Sequence, residues 1–141
     1  MNESRRGLVY WILLLLGIGG TVNGGIMLFA SEPWFANIAA HTGPFNVHLV
    51  RDVGAAYLTS GIASVWAARV PRWRTPLATS AALFLGLHGL IHVAEVATGV
   101  QPPLHLLEDF PGVYLPALLL AGIALRSHGQ RPRADARSRK A

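Results

Sequence analysis

The chain has 141 residues, of which 52% are hydrophobic and only 13% are charged, with a net charge of +5. A soluble domain carries about 25% charged residues, so this composition excludes an ordinary soluble domain and indicates a single membrane domain. The absence of cysteine excludes disulfides, thiolate metal sites and cysteine nucleophiles.

Four apolar stretches predict an all-α fold, a four-helix transmembrane bundle within residues 1–126. The predicted helices cover about residues 7–30, 47–68, 76–100 and 106–125. Each is near the roughly 20 residues that a helix needs to cross a hydrocarbon core of about 30 Å. The first stretch is longer than the core of an export signal and lacks a small-residue cleavage site, so it predicts a retained helix. Residues 127–141 are basic and predict a disordered tail.

The basic residues indicate the orientation of the bundle. Connections rich in Lys and Arg stay in the cytoplasm, and eleven of the 12 basic residues lie on one side of the predicted membrane, opposite Arg51. The eleven are Arg5, Arg6, Arg69, Arg72, Arg74, Arg126, Arg131, Arg133, Arg137, Arg139 and Lys140. We therefore predict a bacterial inner-membrane protein with both termini in the cytoplasm and with outward connections at 31–46 and 98–109. The tail is predicted to meet anionic lipid headgroups, not nucleic acid.

Glycines predict where the helices approach closely. Gly20 and Gly24 have the spacing of small residues that brings helix backbones together in membranes, and further candidates follow on the second and third helices. These candidates are Gly54, Gly61 and Gly86.

Ionisable residues within the predicted spans lie in the outer half only. On the second helix, His48 is at the outer boundary and Asp52 lies roughly 7 Å deep. On the third helix, His92 lies about 7 Å deep and His88 about 13 Å deep. Such residues are costly in lipid and usually face a bundle interior or a water-filled cavity, so they predict a functional site that opens outward.

These residues also share helix faces. His48 and Asp52 are four positions apart, and His88, His92 and Glu95 follow the i, i+4, i+7 pattern of a single stripe. Helices joined by a short turn are antiparallel neighbours, so the two stripes can face each other. The outward connections add His41, His105, Glu108 and Asp109 on the same side.

Imidazoles and carboxylates without thiolates suit Zn, Fe, Cu or Mn. We therefore predict that His48, Asp52, His88 and His92 are metal ligands, as in helical bundles that bind metals between facing helices. Glu95 is predicted to be a catalytic base, a further ligand or a residue that orients His92. A b-type haem held by His48 with His88 or His92 fits less well, because the nearby carboxylates favour an ion or proton site. The structural alternative is that these histidines only form hydrogen bonds between helices.

The segment GPFNVHLVRDVGAAYL, at residues 43–58, resembles that of small four-helix bacterial membrane proteins. The overall build is similar to that of DoxX-like proteins. The resemblance implies a four-helix transmembrane fold. This family is linked to redox chemistry, but no motif here indicates a particular reaction.

The sequence thus predicts an inner-membrane protein with a metal site that opens to the periplasm. As an enzyme it would carry out redox or metal-assisted chemistry on a small or lipophilic substrate. Two alternatives remain open: a non-catalytic accessory subunit of a larger membrane complex, and a small transporter of protons or metal. The transporter would use Asp52, His88, His92 and Glu95. The predicted partners are the lipid bilayer and either a larger membrane complex or further copies of the chain.

Overall fold

A computed structural model of the chain describes residues 7–129. Within this range the regular structure is helical and contains no strand, which confirms the all-α prediction. The α-helices are α1 Leu8–Phe29, α2 Ser31–Ile38, α3 Val47–Arg69, α4 Arg74–Ala97, α5 His105–Glu108 and α6 Leu115–Gly129. Short 3-10 turns at Ala40–Thr42 and Pro71–Trp73 precede α3 and α4, and a π-helical turn at Phe110–Tyr114 leads into α6.

Three helical segments of the described chain are long and apolar enough to cross a membrane: Leu8–Phe29, Pro71–Ala97 and Phe110–Gly129. The remaining long helix, α3, has 23 residues but is less apolar, because His48, Arg51 and Asp52 lie in its first two turns. Large apolar side chains also cover the outside of the protein; Leu83, Leu87 and Leu90 of α4 are 60–62% exposed. These properties are those of a membrane protein.

Glycines allow the backbones of α1 and α3 to approach each other closely. A Cβ atom on Gly24 would lie 2.6 Å from the carbonyl oxygen of Gly54, and one on Gly20 would lie 3.3 Å from the Cα of Gly61. The predicted packing role is therefore confirmed for these glycines. It is wrong for Gly86, where a Cβ atom would meet nothing within 4 Å.

The four long helices form an almost closed ring in which each helix packs on the next. α1 packs on α3, α3 on α4, and α4 on α6, while α1 and α6 contact each other only slightly. The apolar core lies towards the end of the helices that includes the α3–α4 turn, where alanines allow close packing. Its buried members are Leu13, Ala67, Ala68, Ala78, Ala81, Leu85, Leu120, Ile123 and Ala124. Towards the opposite end, polar side chains lie beside a few buried apolar ones: Met27, Val50 and Val113.

The chain between α4 and α6 differs most from the predicted helix over 106–125. Gly99 adopts a φ of 76°, and the N–H groups of Val100 and Gln101 donate to the carbonyl oxygen of Glu95, which ends α4 at Ala97. The π-helical turn then begins at Phe110, and Pro111 follows in its first turn, where a residue without an N–H is tolerated. α6 continues to Gly129, three residues into the predicted tail. The rest of that tail lies outside the described residues.

Candidate metal centre

The polar stripe of α4 brings His88 and His92 together, as their four-residue spacing predicts. Their Nε2 atoms are 3.2 Å apart and their ring centroids 4.7 Å apart. The ring of His88 also packs against two aromatic rings that contact each other, with centroid distances of 5.7 Å to Tyr57 and 5.9 Å to Phe84. His88 thus begins a histidine pair that continues towards the C-terminal end of α4.

The segment after α4 folds back and places His105 against His92. The two rings are stacked, with centroids 5.4 Å apart and planes 17° from parallel. His105 is only 4% exposed, and its ring also contacts that of His41 at 4.6 Å. Gln101, itself buried, donates to the carbonyl oxygen of His41 and so ties this segment to the earlier connection.

Asp109 completes the group, because a single carboxylate oxygen lies between the two imidazoles. Its Oδ2 is 2.6 Å from Nδ1 of His92 and 3.1 Å from Nε2 of His105. An ionised carboxylate only accepts hydrogen bonds, so Nδ1 of His92 donates in the 2.6 Å contact. The side chains of His92 and Asp109 are 15% and 18% exposed, so the protein covers most of the group.

Nε2 of His105 is buried and forms no hydrogen bond within the described residues. Its distance of 3.1 Å from Oδ2 of Asp109 is short enough for a hydrogen bond. The angle at the N–H group is therefore the property that is unsuitable for a hydrogen bond. A buried polar atom without a partner costs about 1–3 kcal/mol. This nitrogen is therefore available to a ligand from outside the protein.

His92, His105 and Asp109 can each offer one ligand atom, and these atoms lie within 4.8 Å of one another. Bonds of about 2.0–2.1 Å to a tetrahedral ion place the ligand atoms about 3.3 Å apart, so small side-chain shifts would admit an ion. Two histidines and one carboxylate form a known ligand set for Zn²⁺ and non-haem Fe²⁺, and they leave coordination positions open.

Each of these histidines has a neighbour at its other ring nitrogen. His88 lies at Nε2 of His92, and Oε2 of Glu108 lies 3.6 Å from Nδ1 of His105, slightly beyond hydrogen-bond distance. Metal-bound histidines usually carry such a partner, which fixes the tautomer and orients the ring. In the metal-bound form, Nε2 of His92 would carry the proton and donate it to His88.

The structure separates the predicted ligands into two groups. His48 and Asp52 contact each other at 3.3 Å, and their side chains are 87% and 63% exposed. Neither makes another hydrogen bond or ion pair within residues 7–129, so their role as metal ligands, and a haem bound through His48, stay predictions. His88 and His92 belong to the cluster described above.

The Glu95 side chain forms no hydrogen bond or ion pair within the described part of the chain. Its carbonyl oxygen instead accepts the N–H groups that end α4. Its predicted catalytic role stays a prediction without a geometric basis in these contacts.

His105 and Asp109 belong to the cluster but not to the ligands predicted from the sequence. Both lie in residues 98–109, a segment predicted to be an outward connection. Their spacing of four residues places both on one face of a short helix. That pattern was the available sequence signal.

The chain matches no protein-family model, no curated protein and no solved structure. The resemblance to DoxX-like proteins therefore stays a prediction, and the geometry of the site is the basis for a function.

Proposed function

We propose that the chain is an integral protein of a bacterial inner membrane that binds one transition-metal ion through His92, His105 and Asp109. The observation that carries this proposal is the buried Nε2 of His105, which makes no hydrogen bond within the described residues and lies beside an oxygen of Asp109 that also contacts His92. The polar cluster lies at the outer end of the bundle, opposite the basic α3–α4 turn.

The connectivity supports four membrane crossings. Both α1 and α4 begin near basic residues, so the positive-inside rule makes each run from the cytoplasm outward. The chain must then return between them, and α3 is the only described segment between them long enough to do so, at about 34 Å. Its polar first turns would lie at the outer boundary, where charged side chains reach water.

We expect reporter fusions to show this orientation. Reporters inserted at 70–75 or placed after Ala141 should read cytoplasmic, and reporters within 31–46 should read periplasmic. The basic residues of the α3–α4 turn are the physical reason, because they resist translocation. A periplasmic reading at 70–75 would contradict both the orientation and the outward-facing site.

Three protein ligands leave room for a water molecule or a substrate on the ion. A metal ion in such a position polarises a bound oxygen or carries out redox chemistry, depending on its identity. His88 and Glu108 would hold the two ligand imidazoles in place through their second nitrogens. The site therefore suits an oxidoreductase or a metal-assisted reaction on a small or lipophilic substrate.

Metal analysis of protein purified in mild detergent tests this function. We expect about one Zn, Fe, Cu or Mn ion per chain, because the donor set suits these metals. Protein that stays metal-free after supplementation with each metal would contradict the proposal.

A proton path is the competing function, because His88, His92, Asp109 and His105 form a continuous row of contacts. Metal-free protein that shows a pH-dependent proton flux in liposomes, lost in His92→Ala, would favour that path. Metal-free protein without flux that copurifies with a larger complex would favour an accessory subunit.

A further inference from the structure

A cavity of about 500 Å³ lies between α1, α3 and α6. It occupies the seam where α1 and α6 contact each other only slightly, so it is partly open on the side that faces lipid in the proposed orientation. The volume falls in the range of about 300–1,000 Å³ that is typical of pockets for small molecules.

The lining of the cavity changes from apolar to polar along the bundle. Towards the cytoplasmic end the walls are mainly leucines from three helices, joined by Ser60 and Ser64 of α3. The leucines are Leu15, Leu16, Leu85 and Leu120. Towards the outer end they include Asn23, Trp34, Glu108 and Asp109. The cavity therefore reaches Asp109 of the proposed metal centre.

The polar end of the cavity has side-chain groups that can form further hydrogen bonds. The indole of Trp34 donates to Oδ1 of Asn23 at 2.9 Å, while Nδ2 of Asn23 has only the weak acceptor Sδ of Met27 at 3.7 Å. Tyr57 lines the cavity, and its hydroxyl makes no hydrogen bond within the described residues; its ring contacts Phe84 and His88. Such groups orient a bound molecule in an otherwise apolar pocket.

We propose that this cavity binds a lipid-soluble molecule with an apolar body and a neutral hydroxyl head, which enters from the membrane between α1 and α6. In the metal-free protein, the carboxylates of Glu108 and Asp109 favour a hydrogen-bond donor and repel anionic heads such as fatty-acid carboxylates or phosphates. An ion bound through Asp109 compensates this charge and leaves the carboxylate of Glu108 to accept the hydroxyl proton. The inference rests on the proposed function, since it names the substrate class of the same site.

Three brominated rings can serve as probes: 4-bromophenol, bromobenzene and 4-bromobenzoate. Bromine quenches tryptophan fluorescence at short range, and Trp34 lines the cavity. Trp11, Trp66 and Trp73 are each about half exposed and can be replaced by Phe to isolate the emission of Trp34. We expect saturable quenching by 4-bromophenol, with bromobenzene at least about tenfold weaker. In metal-free protein, 4-bromobenzoate should also be at least about tenfold weaker, because both carboxylates are then uncompensated.

Two glycines of α1 provide a matched pair of variants. A Cβ atom would meet nothing within 4 Å at either Gly19 or Gly25, but only Gly19 lines the cavity. Gly19→Phe should weaken 4-bromophenol binding by about tenfold, whereas Gly25→Phe should change it by less than about twofold. Equal effects of the two variants would overturn the assignment of the cavity.

Equal binding of bromobenzene and 4-bromophenol would also overturn the inference, because the pocket would then not recognise the hydroxyl group. Metal content measured on the same samples separates the two proposals. Bound metal without saturable quenching would overturn the ligand site alone, and selective quenching in protein that takes up no metal would overturn the metal centre alone.

Discussion

Replacement of His105 by alanine should abolish metal binding, whereas replacement of His48 should leave it unchanged. His105 offers a buried nitrogen to the site, and its loss leaves two ligands. Loss of a residue that merely orients a ligand typically weakens metal affinity about 10–100-fold, so loss of a ligand should exceed about 100-fold. His48 is 87% exposed in its side chain and contacts Asp52, outside this cluster. Metal stoichiometry and affinity of the purified variants measure the effect.

The two variants are matched because each removes one imidazole. Gel filtration in detergent shows whether His105→Ala keeps its fold, and His92→Ala gives an independent second test from a different helix. Retention of metal in His105→Ala together with its loss in His48→Ala would support the ligands predicted from sequence and contradict the site proposed from the structure.

Helix periodicity predicted the inner part of the site well. His88 and His92 lie four residues apart on one helix, and a helix of fixed pitch places such residues on one face, so their contact follows from spacing alone. The same reasoning paired His48 with Asp52, and these two do contact each other. What periodicity does not give is the rotation of one helix relative to its neighbour. The facing of the two stripes was therefore an assumption.

The outer part of the site depends on how the chain turns between α4 and α6. Gly99 at a positive φ, two prolines at 102 and 103, and a one-turn helix bring His105 and Asp109 back against α4. Tertiary packing decides such a turn, and no repeating pattern records it. The glycines of α1 and α3 were easier to predict, because small residues at four-residue spacing have few other uses on apolar helices.

Replacement of Gly24 by alanine should separate α1 from α3, whereas replacement of Gly25 should not. A methyl group on Gly24 would collide with the backbone of Leu58 and Gly54, which cannot move as a flexible side chain can. Overpacking of this kind costs typically about 1–3 kcal/mol. A methyl group on Gly25 would meet open space within 4 Å.

Unfolding of the purified variants by denaturant in mild detergent measures this difference in free energy. Gly24→Ala should also weaken binding of 4-bromophenol, because α1 and α3 both line the cavity. Equal free energies of unfolding for Gly24→Ala and Gly25→Ala would show that the close helix contact does not stabilise the bundle.

The most direct measurement of the proposed metal centre is X-ray absorption at the edge of the metal that copurifies with the unmodified protein. Two imidazoles and one carboxylate predict nitrogen and oxygen ligands at about 2.0–2.2 Å, with the outer-shell scattering of two histidine rings. His92 and His105 supply those rings, so each single alanine variant should reduce this scattering or remove the metal. A spectrum with oxygen ligands alone and no histidine scattering would contradict the proposed centre.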